Sequence, residues 1–442
     1  MMLRRYDSQD EPLDAIARKV RALARFDVLA AEAGPPGDAV REVIGKVRRR
    51  GDIALCEYTK RYDRADLSVG QLRVPADRLA SAAKALDPAL RQAMVKAIDN
   101  VRSYQQQIRP PTPPPCGRPG VRLEPRSWPM QRVGVYVPAG SWPLPSSLIH
   151  CVVPAQVAGV KQIALCSPPR SKGEVNPTIL ATAHLLDIDE VYRLGGAQAI
   201  AAMALGTEAV RPVDKIVGPG NIYVQLAKKT LYGVVDIDSF AGPSEVLVIA
   251  DDTADPAFVA ADLLAQAEHD PAQAVLATPV KEFVPRVEQA LERHLANLST
   301  SDAARKCLTE FAAAVLVRDL DEAAAFAEAY APEHLQIETA EPRRVAEKIR
   351  SAGAVFLGHW TPESFGDYVA GPSHVLPTGG TARFSSGLSV YDFLRRAAWL
   401  EYDGAGLRAE ADATMKIAAA EGLAAHALAV QVRLNESREQ GH

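Results

Sequence analysis

Between residues 130 and 250, short apolar segments alternate with Ala-rich ones at strand-then-helix spacing, and this alternation restricts the fold more than any other feature. Runs 133–138, 162–166, 191–194, 215–217 and 245–250 read as buried strands, with helices over 179–186, 197–205 and 221–231. Asn176-Pro177 supplies a cap followed by a proline at the first turn. Successive parallel strands need a crossover, usually a helix, so the pattern predicts a parallel α/β layer. The pattern resumes more sparsely, with strands expected at 274–277, 314–317 and 354–357. Two strands end in glycines: Gly195-Gly196, and Gly218-Pro219-Gly220 leading into Asn221. Such junctions let a ligand's phosphates approach the N–H groups of a helix start, or simply make tight turns. Neither is a full GxGxxG, because Tyr223 stands three residues after Gly220.

The flanks differ. Residues 13–31, 38–50 and 76–107 are helical in pattern, the last divided at Asp87-Pro88. Consecutive prolines in 109–120 predict an extended linker outside any helix or central strand. From Asp403 the chain reads as one long Ala-rich helical run packed on another domain or subunit. In 442 residues, 50 Lys and Arg oppose 54 Asp and Glu, which leaves no basic excess for nucleic acid. The 48% hydrophobic content excludes extended disorder, and no apolar run approaches a membrane span. The first residues lack the apolar core of a signal peptide. Five cysteines (Cys56, Cys116, Cys151, Cys166, Cys307) without a CxxC suit free thiols in a reducing cytoplasm.

Candidate chemistry lies in four places. A helix opened by Asp255-Pro256 carries Gln266 and His269 three apart on one face near its end, with Glu268 and Asp270 beside the histidine. His269 reads either as a metal ligand or as a cation complementing the helix dipole. Ala331-Pro332-Glu333-His334 follows a helix begun near Asp321, and places an acid and an imidazole side by side as two proton-transfer groups or in a surface turn. A Gly/Pro-rich loop, 362–374, offers Asp367 and His374 as ligands or proton carriers, or is a solvated loop. In the tail, Glu421 and His426 are about 140° apart on an ideal helix and converge only if Gly422 interrupts it. Ser244 in Gly242-Pro243-Ser244-Glu245 is not a GxSxG elbow. His150, His184, His294, His359 and His442 are structural or exposed by default.

Taken together, GGAQAIAAMALGTE from Gly195, VDKIVGPGN from Val213, AGPSEVLVIAD from Ala241 and LLAQAEHDP from Leu263 are long and specific. With APEHLQI from Ala331, GDY and GPSHVLPTGGTARFSSGLSVYDF from Gly366 onward, and EGLAAH, the chain resembles histidinol dehydrogenases over nearly its whole length. The resemblance implies two incomplete Rossmann-like (aldehyde-dehydrogenase-like) domains with parallel sheets and small helical extensions at both ends. The expected segments are an N-terminal helical arm (1–33), a first α/β domain (34–132, continued by 250–330) and a second (133–249) with the cofactor junctions. Catalytic and metal-ligand loops (331–388) and a C-terminal helical tail (389–442) complete the division.

It also implies oxidation of L-histidinol to L-histidine in two NAD-dependent steps through a bound aldehyde, the last step of histidine biosynthesis, in the cytoplasm. Gln266, His269, Asp367 and His426 would be zinc ligands, nitrogen and oxygen donors suited to a catalytic ion. His334 would be the base for the alcohol proton, and Glu333 would activate water on the aldehyde. Ser244, His374 and Glu421, with the ligands and His334, match substrate contacts, and Tyr136, Gln198 and Asn221 match cofactor contacts. The family's homodimer would place Glu421 and His426 in the partner's site. The sequence departs from the usual family pattern at Ala139-Gly140-Ser141-Trp142, Ser239-Phe240, Ser373 and the Pro-rich segment. Relatives with this zinc set oxidise other small polar alcohols, including a sulfonated propanediol, which is the alternative substrate class.

Overall fold

The structure, a computed structural model, describes residues 2–24, 28–138, 143–240, 242–269 and 272–439. Ala139, Gly140, Ser141, Trp142, Ala241, Asp270 and His442, singled out above, lie outside the described residues. Strands β1 to β8 are Arg4–Asp7, Cys116–Arg118, Val121–Pro129, Arg132–Tyr136, Gln162–Ser167, Glu190–Arg193, Lys215–Val217 and Asp236–Ile237. Strands β9 to β14 are Ser244–Ala250, Ala272–Thr278, Ala313–Leu316, His334–Glu338, Ala354–Leu357 and Leu394–Tyr402.

Residues 2–108 and 130–393 form one unit, built on two sheets. The five-stranded sheet runs β6-β5-β4-β7-β8, all parallel. The chain lays β5 and β6 to one side of β4 and then returns for β7 on the other, so strand order reverses between β4 and β7. In open α/β sheets ligands bind beyond the carboxyl ends of strands at such a reversal. Helices Pro35–Arg50, Gly196–Leu205 and Ile222–Leu231 cover one face, around Val40, Ile200 and Leu226. The six-stranded sheet runs β1-β11-β10-β9-β12-β13, also parallel. One face packs Val246, Val248 and Ala250 against the helices Pro256–Ala267 and Phe283–Leu295. The other packs Leu247, Leu335 and Ile337 against the helices Leu13–Leu23 and Leu320–Tyr330.

Residues 109–129 and 394–439 form the second unit, an antiparallel sheet β14-β3-β2 with the helices Gly404–Ala420 and Ala424–Glu439. Arg126 stacks over Trp399, 4.1 Å from the ring centre.

Several expectations are corrected. Residues 34–108 contain no strand among the described residues and pack on the five-stranded sheet, so 34–132 and 250–330 do not share a sheet. β9, assigned above to the second domain, pairs within the six-stranded sheet because its Val-Leu-Val-Ile run is buried on both faces between β10 and β12. The N-terminal arm contributes the edge strand β1, and the C-terminal segment contains β14, so neither is purely helical. The Pro-rich segment enters the second unit and pairs at Cys116–Arg118. The helix expected over 13–31 ends at Leu23 and resumes at Val28.

Candidate active site

The helix Leu320–Tyr330 starts on Asp319, whose carboxylate accepts the Glu322 N–H, and ends at Ala331 in the left-handed region (φ 47°). This reversal sends the chain through Pro332 and Glu333 directly into β12, so His334 is the first residue of a strand rather than part of a loop. Pairing of β12 with β9 sets His334 beside Val246. Backbone and side chain then interlock: Glu245 N–H donates to the Glu333 carboxylate at 2.9 Å, and His334 Nδ1 lies 3.2 Å from the Glu245 carbonyl. A carbonyl only accepts, so that contact fixes a proton on Nδ1 and leaves Nε2 as the free nitrogen.

Around His334 a cavity of about 220 Å³ is lined by Ser244, His269, Glu333, His334, Asp367 and His374, with Lys228, Asp238 and the Gly218 turn on its wall. It lies where the amino ends of β9 and β12 face the carboxyl end of β7. His334 Nε2 is 3.7 Å from Asp367, and Nδ1 is 3.5 Å from Glu363 and 3.8 Å from Glu333. His374 Nδ1 donates to the Asp367 carbonyl (2.9 Å), its Nε2 pairs with Ser147 Oγ (3.2 Å), and the ring stacks on His150 at 4.4 Å. Ser373, one of the departures, donates to the His150 carbonyl at 3.2 Å and is not on the cavity wall.

Burial and charge act in opposite directions here. Burial pushes the Glu333 carboxyl up to about 8 and that of Glu245 to about 7. Burial disfavours a charged His334, but Glu333, Glu363 and Asp367 outweigh it and raise the ring to about 10. Burial also works against ionised Asp367, and His334 overcomes it, holding this carboxyl below its usual range. His374 and His150 are pushed down by burial, His150 to about 3, so this stacked pair is neutral.

A second cavity, about 550 Å³, lies against the reversal point of the five-stranded sheet and is lined by Tyr136, Gln198 and Asn221 with Gly196, Arg61 and Arg170. Tyr136 closes β4, and its hydroxyl accepts the Gly196 N–H at 3.1 Å. Asn221 caps its helix through Oδ1, at 3.1 and 3.2 Å from two N–H groups, which leaves its amide N–H groups for another partner. Gln198 Nε2 is buried with no partner among the described residues, a donor awaiting an acceptor. Gly218 must be glycine: its φ is +113°, and a Cβ would stand 2.1 Å from the Tyr136 carbonyl.

The cavities thus gather Ser244, His269, Glu333, His334, Asp367 and His374 on one wall system, and Tyr136, Gln198 and Asn221 on another. Gln266 is buried in the last turn of the helix Pro256–Ala267, with neither amide atom partnered among the described residues. Both atoms need partners, and an amide oxygen without one fits a metal-ligand role. Among the described residues the His, Asp and Glu atoms close enough for one ion belong to His334, Glu363 and Asp367. Glu421 and His426 lie in the second unit, where Gly422 (φ +74°) does interrupt the helix. Sequence reasoning missed Glu363, Glu245 and the buried pair Lys228–Asp238. Glu363 carried one signal, an acid directly after Pro362; Glu245, Lys228 and Asp238 carried none in their local sequence.

A parallel α/β fold that sets an acid–imidazole centre beside a nucleotide-sized cleft at a strand-order reversal defines a dehydrogenase-type oxidoreductase. The family model described as histidinol dehydrogenase matches residues 31–434. A histidinol dehydrogenase of Rhodopirellula baltica is 50% identical over 398 residues, covering 90% of this chain and 86% of that protein. One from Gluconobacter oxydans is 47% identical, covering 90% and 93%. The crystal structure of histidinol dehydrogenase from Elizabethkingia anophelis superposes with a TM-score of 0.91 at 37% identity, covering 98% of both chains. The chain belongs to the histidinol dehydrogenase family.

Proposed function

We propose that the protein oxidises L-histidinol to L-histidine in two NAD-dependent steps through a bound aldehyde, the last step of histidine biosynthesis, in the cytoplasm. The observation that carries this reading is the His334–Glu333 pair on one cavity wall, with His334 Nδ1 tied to a carbonyl and Nε2 without a hydrogen-bond partner among the described residues. With Nδ1–H held on the Glu245 carbonyl, the ring in its neutral form takes the alcohol proton at Nε2 as hydride leaves the carbon, and that form is reached only when a cation beside Asp367 offsets the carboxylates that raise the ring to about 10. Glu333, raised to about 8 by burial, is poised near neutrality to accept a proton from water adding to the aldehyde. Ser244 and His374 line the same cavity and orient the substrate. The larger cleft takes NAD, with Gln198 Nε2 and the Asn221 amide N–H groups, both without a partner among the described residues, and Tyr136 as its contacts.

Zinc suits the donor set of Gln266, His269 and Asp367, with His426 completing it. When bound, the ion supplies a fixed positive charge that orients the substrate nitrogens and lowers the proton affinity of the groups around it. We further infer a homodimer in which the exposed Glu421 and His426 of one copy serve the other's site.

Purified protein given L-histidinol and NAD should form two NADH per histidinol, lose turnover to a chelator and regain it with zinc. His334→Asn should lower kcat by about 10²–10⁴-fold. One NADH per histidinol with free aldehyde accumulating refutes the two-step reading.

A further inference from the structure

A further cavity, about 790 Å³, adjoins the cleft assigned above to NAD, and Tyr62, Asp63 and Arg170 line both. It lies beyond the carboxyl end of β5, the strand that pairs with β4 on one side of the reversal point. Ser167 ends β5, and Pro168 and Pro169 fix φ over the next two residues. The Arg170 N–H closes back on the Pro168 carbonyl at 2.9 Å, which sets Arg170 at the strand end. A tight turn follows: Ser171 and Glu174 exchange backbone hydrogen bonds at 3.0 Å, with Lys172 (φ +55°) and Gly173 (φ +83°) between them. Asn or Gly usually fills such positions, and here a lysine does. Glu174 anchors the turn to β6, because its carboxylate accepts two Arg193 guanidinium N–H groups at 2.6 and 2.7 Å.

The opposite wall comes from the one-turn π-helix Thr59–Asp63, closed by Arg64 in the left-handed region (φ 56°). Among the described residues four non-glycine residues adopt a positive φ, and two of them, Arg64 and Lys172, are cations on this one cavity. Left-handed backbone is unfavourable for L-residues and gathers at functional sites. Asp63 holds the third cation: its side chain is 3% exposed, and Oδ1 accepts Arg170 Nε at 3.2 Å. Asp63 Oδ2 is sealed against Gly195, where a Cβ would stand 3.0 Å from it and 2.7 Å from the Pro168 ring. The two terminal guanidinium nitrogens of Arg170 have no partner among the described residues, and that side chain is half exposed. The other acid on the wall, Asp66, is taken by Lys60 at 2.6 Å, whereas Arg64 and Lys172 have no partner among the described residues. The acids of the cavity are neutralised and its cations are not.

In doubly wound sheets the group beyond the second strand meets the adenosine ribose: an acid there binds the 2′-hydroxyl of NAD, and an arginine receives a 2′-phosphate. No acid is available at this strand end, since Glu174 is held by Arg193 and Asp63 by Arg170. What faces the cavity is an anchored guanidinium with two further cations. A guanidinium fork pairs with two phosphate oxygens at once, and an ammonium adds a third charge-assisted contact. We propose that this cavity is a phosphate site at the adenosine end of the dinucleotide, through which the protein binds NADP as well as NAD. The proposal rests on the assignment of the neighbouring cleft to a nicotinamide dinucleotide. Arg170 is the principal phosphate contact, Lys172 and Arg64 flank it, and Asp63 is a positioning residue that holds the guanidinium from behind.

Calorimetric titration of the full-length protein, without substrate, reads dissociation constants for NAD, NADP, ADP and adenosine 2′,5′-bisphosphate. The parent should bind NADP within about tenfold of NAD, and the 2′,5′-bisphosphate at least as tightly as ADP. Arg170→Met should weaken NADP by about tenfold and NAD by no more than about twofold. Added salt should weaken NADP more than NAD in the parent, and that difference should shrink in R170M. Equal losses for NAD and NADP in R170M put the contact on the diphosphate and still support a phosphate site. Parental constants for both dinucleotides in folded R170M overturn the proposal, as does a parent that binds NAD but not NADP with NAD binding unmoved by R170M. R170M strands the buried Asp63 carboxylate; should it not fold, Arg64→Gln with Lys172→Gln, both at exposed positions, gives the same comparison. A loss of NADP affinity in that double variant supports the site, and parental constants overturn it. A parent that binds no dinucleotide refutes the dehydrogenase reading, whereas NAD binding that no variant alters refutes the phosphate site alone.

Discussion

Lys228 and Asp238 are 1% and 3% exposed at their side chains and form an ion pair against the active-site wall. Together they grip both polar groups of Gly218: its N–H donates to Asp238 Oδ2 at 2.7 Å, and Lys228 Nζ donates to its carbonyl at 3.1 Å. Lys228→Met keeps the stem's volume but leaves a carboxylate buried and uncompensated, a change worth about 3–5 kcal/mol. The orphaned Gly218 carbonyl falls within that figure, because the two losses share one site. Asp238→Asn alone keeps an acceptor for the Gly218 N–H but strands the ammonium. The double variant K228M/D238N removes both charges, and should recover about 1–3 kcal/mol relative to the sum of the singles. Urea unfolding of the four proteins measures this, with m checked for constancy. A freed Gly218 turn should also raise KM for NAD in K228M more than it lowers kcat. A cost under about 1 kcal/mol for K228M, or singles that simply add, would refute the clamp.

Two other outcomes follow from buried groups. Gln266→Leu replaces an amide with neither atom partnered among the described residues, so it should stabilise the metal-free protein by about 1–2 kcal/mol while cutting bound zinc, read by metal analysis; unchanged zinc content would remove Gln266 from the ligand set. Burial raises Glu245 from its ordinary 4.5 to about 7, so its contribution is fully present below pH 4.5 and is lost as pH rises through 7. Glu245→Gln keeps the acceptor for the Gly379 N–H and should flatten that decline, with a gain on the order of 2–3 kcal/mol at pH 8; thermal melts from pH 4 to 8 with parallel parent and variant curves would contradict it.

What the chain reveals on paper follows from what each strand must bury. β5, β9 and β10 are enclosed on both faces and read as apolar runs, so they are legible. β12 is equally buried, yet its sequence HLQIE alternates because His334, Gln336 and Glu338 share one face and Leu335 and Ile337 the other. β3 and β14 lie in a small antiparallel sheet with partial exposure, and Pro125, Pro129 and several arginines disguise them. Glu333-His334, Asp367 and His374 stood out because acids and imidazoles beside Pro or Gly have few structural uses. Glu363 and the Lys228–Asp238 pair did not, since only tertiary packing brings 228, 238 and 333 to one wall and Glu363 behind His334.

The edge strand β1 pairs residue for residue with β11, Arg4 beside Ala313 and Asp7 beside Leu316. A ribosome therefore emits one margin of the six-stranded sheet some three hundred residues before the strand it docks against, whereas the five-stranded sheet draws all its members from 132–237. Loop-closure entropy grows with the logarithm of the separation, and contacts this remote slow the search. During synthesis the compact central sheet can mature early while the leading segment waits uncovered, vulnerable to proteases and chaperone capture. The proposed base His334 lies beyond β11 in the chain, so catalytic competence should appear last, with completion of the outer sheet.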